Sequence, residues 1–247
     1  MRYSISIVVF NQIEYTKKCI ESILKFSKDY ELLLWDNGST DGTKEYFVQL
    51  CKEHKNITAT TVPENIGYST PQNHNAKKAT GEYFVALNND LTVCQDWLEK
   101  LSAPFEDPKV AIVGLFGEPS TLKADGWGSF GPQLDYIDGA CFMMKKTLID
   151  KYGLFDDVTF KFAYSEDADL SLRMKSLGYK IKKVKLEIIH EGAVTSRSLD
   201  RKTTDMALKY SIDNRKELVD KWGMNGFFFG AYFDYKYEKK QEEVPVL

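Results

Sequence analysis

The sequence predicts an α/β fold with a mostly parallel central sheet flanked by helices. Three observations support this prediction. Short apolar runs alternate with helical patterns over residues 1–95, which is typical of a parallel sheet. Each apolar run ends in polar residues that favour turns. The chain of 247 residues is 43% hydrophobic, so it can bury the core of one large domain or two small ones.

Four strands are predicted in the first half, with helices between them. The strands are the apolar or β-branched runs at residues 4–10, 31–35, 57–62 and 83–87. Apolar residues at helical spacing follow Asn11, and a second such helix follows Asp41, a favourable N-cap residue. A third helix is delimited by Pro71 in its first turn and by Gly81 at its end.

The second half shows a mixed order of strands and helices. The predicted elements are helix 96–105, strands 110–114 and 137–146, helices 147–153 and 166–177, strand 179–190, and a last helix through 208–222. We expect one domain at 1–200, made of the halves 1–95 and 96–200. Residues 201–247 are expected to add a C-terminal helix and an aromatic, basic tail.

Composition argues against several classes of protein. The formal net charge of -3 gives no electrostatic reason for a nucleic-acid partner. Cys19, Cys51, Cys94 and Cys141 form no C-x-x-C pair, so we expect free thiols in a reducing cytoplasm. We expect no signal peptide, because Met1 leads directly into strand-like sequence. No apolar run approaches the ~18 residues of a membrane span, which predicts a cytoplasmic protein that at most rests on a membrane.

Polar and acidic residues gather at the predicted strand ends and in the loops that follow them. They are Asp36, Asn37 and Asp41; Asn88, Asn89 and Asp90; Glu166, Asp167 and Asp169; and His190. Each group alone has a structural explanation, because Asn and Asp form turns and acidic residues stabilise the first turn of a helix. Their order along an α/β chain instead favours a ligand site, since open α/β sheets bind ligands beyond the carboxyl ends of their strands.

Six segments between residues 4 and 196 carry a family pattern. They are SISIVVFNQIEYTKKCIESI, LLLWDNGSTDGT, ENIGYSTPQNHNAKKATGEYFVALNND, YIDGACFMMKKTLIDKYGLFDD, YSEDADLSLRMKSLGYKI and IIHEGAVTS. Their order and spacing resemble the family 2 glycosyltransferases with the GT-A fold, of the bacterial rhamnosyltransferase-like type. The resemblance implies a Rossmann-like nucleotide-binding half, a smaller mixed acceptor-side part, and sugar transfer with inversion.

The resemblance also implies a donor site in the first half of the chain. Asp36 is expected to accept a hydrogen bond from the base of a nucleoside-diphosphate sugar, with UDP or dTDP favoured. Gly67 allows close backbone approach, and asparagine offers both donors and acceptors to a nucleotide. The residues expected to support or line this site are Asn37, Ser39, Asp41, Asn65, Gly67 and Asn73.

A metal site is implied at Asn88-Asn89-Asp90, which stands where the family has its D-x-D motif. Asp90 is expected to bind the divalent Mn²⁺ or Mg²⁺ that bridges the diphosphate, since such ions prefer oxygen ligands. Asn88 replaces the first acid of the motif and is expected to contact the ribose. His190 matches a family histidine that binds the metal or the diphosphate; a purely structural role for it stays open.

The pair Glu166-Asp167 matches the family position of the general base. Inversion needs a carboxylate that takes the proton of the acceptor hydroxyl on the face opposite the leaving group. We expect Asp167 to be this base, with Glu166 as the alternative and Asp169 as a structural support. Asp138 and Gly139 are expected to lie beneath the acceptor and the donor sugar.

Two further segments each have two interpretations. Trp127 and Phe130, in the glycine-rich stretch 117–133, either stack on a sugar or pack a loop on the core. The aromatic and basic tail 227–240 either lies on a membrane beside a lipid-linked acceptor or packs on its own domain or in a homodimer.

Other functions were weighed against sugar transfer. A sugar-1-phosphate nucleotidyltransferase would need a glycine-rich, basic loop for a triphosphate, whereas residues 4–16 contain no Gly, Lys or Arg. A non-catalytic nucleotide-sugar-binding module would not need the pair Glu166-Asp167. A DNA-modifying transferase finds no support in the acidic charge balance. The favoured hypothesis is transfer from a nucleoside-diphosphate sugar to a hydroxyl of a glycan or a lipid-linked saccharide.

Overall fold

The computed structural model describes residues 1–115, 135–190 and 201–223. Its strands are β1 (Tyr3–Val9), β2 (Tyr30–Asp36), β3 (Ile57–Thr61), β4 (Tyr83–Leu87), β5 (Leu91–Thr92), β6 (Val110–Leu115), β7 (Cys141–Lys145), β8 (Lys180–Val184) and β9 (Ile189–His190). Its helices are α1 (Ile13–Phe26), α2 (Thr43–Glu53), α3 (Ser69–Lys78), α4 (Trp97–Ser102), α5 (Lys146–Tyr152), α6 (Glu166–Ser176) and α7 (Arg201–Trp222).

Seven strands form one twisted layer in the order β3-β2-β1-β4-β7-β6-β8. The neighbours among β3, β2, β1 and β4 are parallel, as are β6 and β8. Strand β7 runs antiparallel to both of its neighbours. The sheet is therefore mostly parallel with one reversed strand, as the sequence predicts. Strands β5 and β9 form a separate antiparallel pair.

Both faces of the central strands are buried, which explains their continuous apolar sequences. Alternate side chains of each strand enter opposite cores, because successive side chains of a strand point to opposite faces. On one face, Ile5, Leu34 and Val85 pack with apolar residues of α1, α2 and α4. On the other face, Leu33 and Phe84 pack with apolar residues of α3, α5 and α6. The sheet is thus a rigid platform for the loops at its carboxyl edge.

A buried polar layer joins α3 to the centre of the sheet. Ser6 of β1 donates a hydrogen bond to Gln72 Oε1 at 2.6 Å. The Asn75 side-chain amide donates to Ser6 Oγ at 2.9 Å and to the Leu33 carbonyl at 3.2 Å. Small serine side chains on this face of β1 allow the helix to approach closely, and the paired amides offset the cost of burying polar groups.

The single strand predicted at 179–190 is wrong. Strand β8 ends at Val184, and residues 189–190 form β9, which pairs with β5 in a different sheet. Among the described residues β8 pairs with β6 alone, and the last pair of this ladder is Leu115 with Val184. The chain then reaches β5, where His190 pairs with Leu91.

Smaller differences concern element ends and side-chain states. Strand β7 begins at Cys141 rather than at residue 137, since Gly139 and Ala140 form a turn. All four cysteines are free thiols, as expected. In the described part of the chain, no helix is long and apolar enough to span a bilayer. Trp127, Phe130 and the tail 227–240 lie outside the described residues, and the division at residues 95 and 200 stays a prediction.

Candidate active site

The predicted site residues lie along the carboxyl edge of the parallel strands. Strand β2 ends at Asp36, which is opposite Val9 at the end of the neighbouring β1. Strand β4, on the other side of β1, ends at Leu87 and is followed at once by Asn88. The connection from β1 runs to β2 on one side, and the connection from β3 crosses back to β4 on the other side of β1. This edge is therefore the switch point where open α/β sheets bind ligands.

Asp36 is completely buried and only half satisfied. Its Oδ1 accepts a hydrogen bond from the Ser39 amide at 2.9 Å. Its Oδ2 has no hydrogen-bond partner among the described residues. A buried carboxylate oxygen without a donor is costly, so Oδ2 is an acceptor that a ligand donor would satisfy.

Asn37 holds together the loop at residues 65–67, which is expected to line the nucleotide. Its Oδ1 accepts from the Trp35 indole at 3.3 Å and from the Ile66 amide at 3.1 Å. Its Nδ2 donates to Asn65 Oδ1 at 2.9 Å and to the Gly67 carbonyl at 2.7 Å. These four bonds use the hydrogen-bonding capacity of the amide. Asn37 therefore supports the loop and has no remaining group for direct contact with a nucleotide.

Ser39 and Asp41 connect the loop after β2 to the start of α1. Ser39 Oγ accepts from the Asn11 amide at 2.7 Å. Asp41 Oδ2 accepts from the Ile13 amide at 2.9 Å, and its Oδ1 accepts from the Thr43 hydroxyl at 2.6 Å. One carboxylate thus satisfies free donors at the first turns of two helices.

Gly67 lies against the segment that precedes α6. Its φ is 93°, and a Cβ atom placed on it would lie 2.2 Å from the Phe162 carbonyl oxygen. That same carbonyl accepts a hydrogen bond from the Tyr68 amide. Asn73, which we expected to line the nucleotide, instead exchanges two hydrogen bonds of 2.9 Å with the backbone of Phe155. It holds another part of the segment before α6.

The substitution Gly67→Ala is expected to lower the free energy of unfolding by at least about 2 kcal/mol more than Gly178→Ala. Both glycines have a positive φ, of 93° and 83°, so both variants carry the backbone penalty of about 1 kcal/mol. Of these two glycines, only Gly67 has atoms of other described residues within 4 Å of the new Cβ. Chemical denaturation of the two variants gives the difference. Equal losses would show that the contact with Phe162 relaxes at no cost.

The residues after β4 point in different directions. Asn89 is buried and donates to Thr16 Oγ1 of α1 at 2.9 Å, so its side chain serves the scaffold. The Asn88 amide donates to the Ala140 carbonyl at 2.8 Å. Asp90 is 7% exposed, and its Oδ1 lies 3.3 Å from His190 Nε2. The β5–β9 pairing therefore brings together the two residues expected to bind a metal.

Burial acts against protonation of His190, but the adjacent Asp90 and the more distant Asp138 outweigh it, so the pKa of His190 is raised. In the described ranges, no three His, Cys, Asp or Glu side chains form a cluster that could hold a metal ion.

Asp167 lies in the first turn of α6 and faces the turn at residues 138–140. Its Oδ2 accepts from the Gly139 amide at 2.9 Å, and its Oδ1 accepts from the Ala168 amide at 2.8 Å. Burial, followed by the charge of nearby Asp138, raises the pKa of Asp167 to about 7. This carboxylate is partly exposed, so a proton can reach it.

Glu166 differs from its neighbour. It is 6% exposed, and its Oε2 has no hydrogen-bond partner among the described residues. Burial, followed by the charge of Asp167, raises the pKa of Glu166 well above its usual range. Carboxyl groups with raised pKa values that cluster in this way are typical of functional sites.

Hydrogen bonds connect the segments that carry Asn37, Asn88 and Asp167. Asn37 holds the backbone at Gly67, and the adjacent Tyr68 hydroxyl donates to the Gly139 carbonyl at 2.8 Å. Gly139 contacts Asp167, and the next residue contacts Asn88. Tyr68 was missed in the sequence analysis, although it directly follows the Asn-Ile-Gly segment singled out there.

Known proteins resemble both the sequence and the fold. The model of glycosyl transferase family 2 matches residues 4–171. Glycosyltransferase AglE of Haloferax volcanii is 30% identical over 114 residues, which are 45% of this chain and 38% of that protein. The dolichyl N-acetyl-alpha-D-glucosaminyl phosphate 3-beta-D-2,3-diacetamido-2,3-dideoxy-beta-D-glucuronosyltransferase of Methanococcus voltae is 32% identical over 123 residues, 45% of this chain and 37% of that protein. The match thus spans less than half of these curated relatives.

Two solved structures share the fold. The mannosyltransferase PcManGT from Pyrobaculum calidifontis, in complex with GDP-Man and Mn²⁺, has a TM-score of 0.63 at 16% identity, with 97% of this chain and 80% of that chain covered. TarS 1-349 of S. aureus, in complex with UDP-GlcNAc, has a TM-score of 0.56 at 15% identity, with 96% and 78% covered. The predicted GT-A fold is confirmed, and the family model matches more than half of the sequence. The chain belongs to glycosyl transferase family 2.

Proposed function

We propose that this protein transfers a sugar, with inversion, from a nucleoside-diphosphate sugar to a hydroxyl of a glycan or a lipid-linked saccharide. The observation that carries the proposal is that hydrogen bonds connect the candidate segments at the carboxyl edge of the sheet. There, a carboxylate whose pKa is about 7 lies across residues 138–140 from the Asp90–His190 pair. The related M. voltae enzyme has a dolichyl-linked sugar phosphate in its name, which supports a lipid-linked acceptor.

Asp36 favours a pyrimidine nucleotide. Its unpaired oxygen can accept the single ring N–H of uracil or thymine. The other oxygen is already bonded to the Ser39 amide. UDP or dTDP is therefore our proposed donor nucleotide, and a rhamnose-like sugar stays a prediction.

The residues at the end of β4 fit a divalent ion. Asp90 Oδ1 is buried without a hydrogen-bond donor among the described residues, and the imidazole Nε2 of His190 lies 3.3 Å away. Mg²⁺ and Mn²⁺ accept carboxylate and imidazole ligands and complete their shell with phosphate and water. We propose that Asp90 and His190 hold such an ion, which would neutralise charge on the departing diphosphate.

Asp167 is the proposed general base. As the acceptor oxygen attacks the anomeric carbon, its hydroxyl proton passes to Asp167, and the bond from that carbon to the diphosphate oxygen breaks. A pKa near 7 suits this task, because about half of the molecules carry the ionised group at neutral pH and the group still binds a proton well. Glu166 fits the role less well, since its raised pKa favours the protonated form.

Two contacts prepare Asp167 for this role. The Gly139 amide donates to Oδ2 and the Ala168 amide donates to Oδ1, which orients the carboxylate before the acceptor arrives. The Tyr68 hydroxyl fixes the Gly139 carbonyl from the other side. Such preorganisation avoids a reorganisation cost during the reaction.

A thermal-shift panel of UDP, dTDP and GDP, with and without Mn²⁺, tests the proposed donor site. We expect UDP or dTDP with Mn²⁺ to raise Tm, because a ligand at 100 times its Kd adds about 2.7 kcal/mol to the free energy of unfolding. Release of nucleoside diphosphate from the corresponding sugar then tests transfer. Binding without any release of the diphosphate would favour the non-catalytic module, and stabilisation by a nucleoside triphosphate alone would favour the nucleotidyltransferase.

A further inference from the structure

The chain that leads into α6 adopts an unfavourable backbone conformation just before the proposed base. Phe162, Tyr164 and Ser165 have φ values of 68°, 76° and 76°. None of them is glycine, and a left-handed conformation at such residues costs on the order of 1–3 kcal/mol each. Surrounding contacts must therefore hold this segment, residues 161–165, in place.

Asn214 of α7 supplies those contacts. Its side chain is buried, and its Nδ2 donates to the carbonyl oxygens of Lys161 at 2.8 Å, Ala163 at 2.9 Å and Tyr164 at 3.1 Å. An amide group has two hydrogens, so one of them is shared between two carbonyls. A single side chain from the C-terminal part of the chain thus binds three backbone carbonyl groups of the segment.

The same helix is anchored to α6 by a second set of contacts. The Trp222 indole donates to Asp169 Oδ1 at 2.9 Å, and Lys221 Nζ lies 2.9 Å from that oxygen and 2.9 Å from Asp156 Oδ2. Leu218 is fully buried in the small core that includes Ala168 of α6. Asp169 therefore has the supporting role that the sequence analysis expected, and α7 has a defined position relative to the base.

The segment held by Asn214 also contacts residues 67 and 68 of the candidate active site. The Phe162 carbonyl accepts from the Tyr68 amide and lies against Gly67. Tyr68 in turn bonds the Gly139 carbonyl, whose own amide bonds Asp167. A relaxation of residues 161–165 would consequently shift the base and the turn that orients it.

We propose that Asn214 is a positioning residue: it holds the left-handed segment 161–165 so that Asp167 faces Gly139. The proposal rests on the proposed function for its effect on catalysis, but not for its effect on structure. Asn214 is far from the base in sequence, and it touches neither Asp36 nor Asp90 in any hydrogen bond of the described structure. Its loss should therefore weaken the chemical step more than it weakens donor binding, which the segment reaches through Gly67.

The substitution Asn214→Asp is the most direct test. It keeps the shape of the side chain but places carboxylate oxygens against three carbonyl oxygens. We expect kcat to fall by about 100-fold, the effect of a small misplacement of a catalytic group, while donor Kd rises by less than about tenfold. The matched control is Asn75→Asp, an equally buried amide that also donates to a backbone carbonyl, on α3. It should lose stability and keep kcat within about threefold.

Hydrogen exchange supplies a readout that does not depend on activity. The amides of Tyr68 and Gly139 are bonded to Phe162 and Asp167. We expect their exchange to be at least about tenfold faster in Asn214→Asp than in Asn75→Asp at matched stability. If the Asp variant does not fold, Asn214→Ser, which keeps one donor, should show about a tenfold lower kcat and the same faster exchange.

Three outcomes are distinguishable. Unchanged exchange and unchanged kcat in a folded Asn214 variant would overturn the positioning role and leave the proposed function intact. An equal loss of kcat in Asn75→Asp would reduce the effect to general destabilisation and also overturn it. A wild-type protein that releases no nucleoside diphosphate would contradict the proposed function, while the exchange experiment would still decide whether Asn214 holds the segment.

Discussion

The substitution Asp167→Asn is expected to lower kcat by about 10²- to 10⁴-fold, the usual contribution of a general base. Affinity for the donor nucleotide should stay within about twofold, because Asp36 and Asp90 are untouched. The amide cannot take the acceptor proton, although it has nearly the same shape. Release of nucleoside diphosphate measures kcat, and calorimetry with UDP or dTDP and Mn²⁺ measures affinity.

The control for this prediction is Asp150→Asn. Asp150 is a mostly exposed carboxylate on α5, paired only with Lys146 in the described structure, so the same change of charge should leave kcat unaltered. If Asp167→Asn retains turnover, the base has been assigned to the wrong residue. Glu166→Gln would then be the variant to examine, since Glu166 is the alternative carboxylate beside it.

The pH dependence of the same variant carries a second signature. With a pKa of about 7, the wild-type kcat/KM should rise about tenfold per pH unit below pH 7 and level off above it. The folded state binds this proton more tightly than the unfolded chain, so ionisation of Asp167 costs folding free energy as pH rises from about 4 to about 7. The Tm of Asp167→Asn, relative to wild type, should therefore increase from pH 4 to pH 8.

Removal of the Asp90 carboxylate is expected to abolish the metal-dependent part of donor binding. Asp90→Asn leaves His190 as the remaining side-chain ligand of the proposed pair, so Mn²⁺ affinity should fall at least about 100-fold. The enhancement of nucleotide affinity by Mn²⁺ should vanish with it. Binding of the nucleoside alone should persist, because Asp36 lies at the end of a different strand.

Asp96→Asn is the matched control for the metal prediction. It removes the same charge from an exposed position six residues further along the chain, so it separates loss of a ligand from loss of general negative charge. Isothermal titration of UDP or dTDP into each variant, with and without Mn²⁺, gives both affinities. An Asp90→Asn protein whose nucleotide affinity still rises with Mn²⁺ would place the ion elsewhere.

Much of the fold could be predicted because the relevant information is local. The apolar run Leu32-Leu33-Leu34-Trp35 can be a fully buried strand wherever it lies in the sheet, and Asp36 must then follow at its carboxyl end. The order of strands and helices likewise predicted a mostly parallel sheet. The family pattern placed Asp90 and Asp167 in one site, and contacts through residues 138–140 connect the two regions.

Two differences from the expected arrangement share one cause. His190 was expected at the end of a long strand, but it belongs to β9 and reaches Asp90 by pairing with β5. Asn73 was expected at the nucleotide and bonds Phe155 instead. An asparagine matches the same motif whether its amide faces a ligand or a neighbouring loop. Side-chain direction is decided by partners that are distant in the chain.

The sequence by itself determined the α/β class, the strand ends that carry the polar residues, and the family. Tertiary structure alone decided that Asn37 is saturated by its own loop, that burial and Asp138 raise the pKa of Asp167, and that Asn214 holds the segment before it. The physical reason is the separation along the chain of the residues that interact. Strand and helix patterns depend on residues a few positions apart, whereas hydrogen bonding and carboxylate pKa values depend on which groups packing brings within a few ångströms.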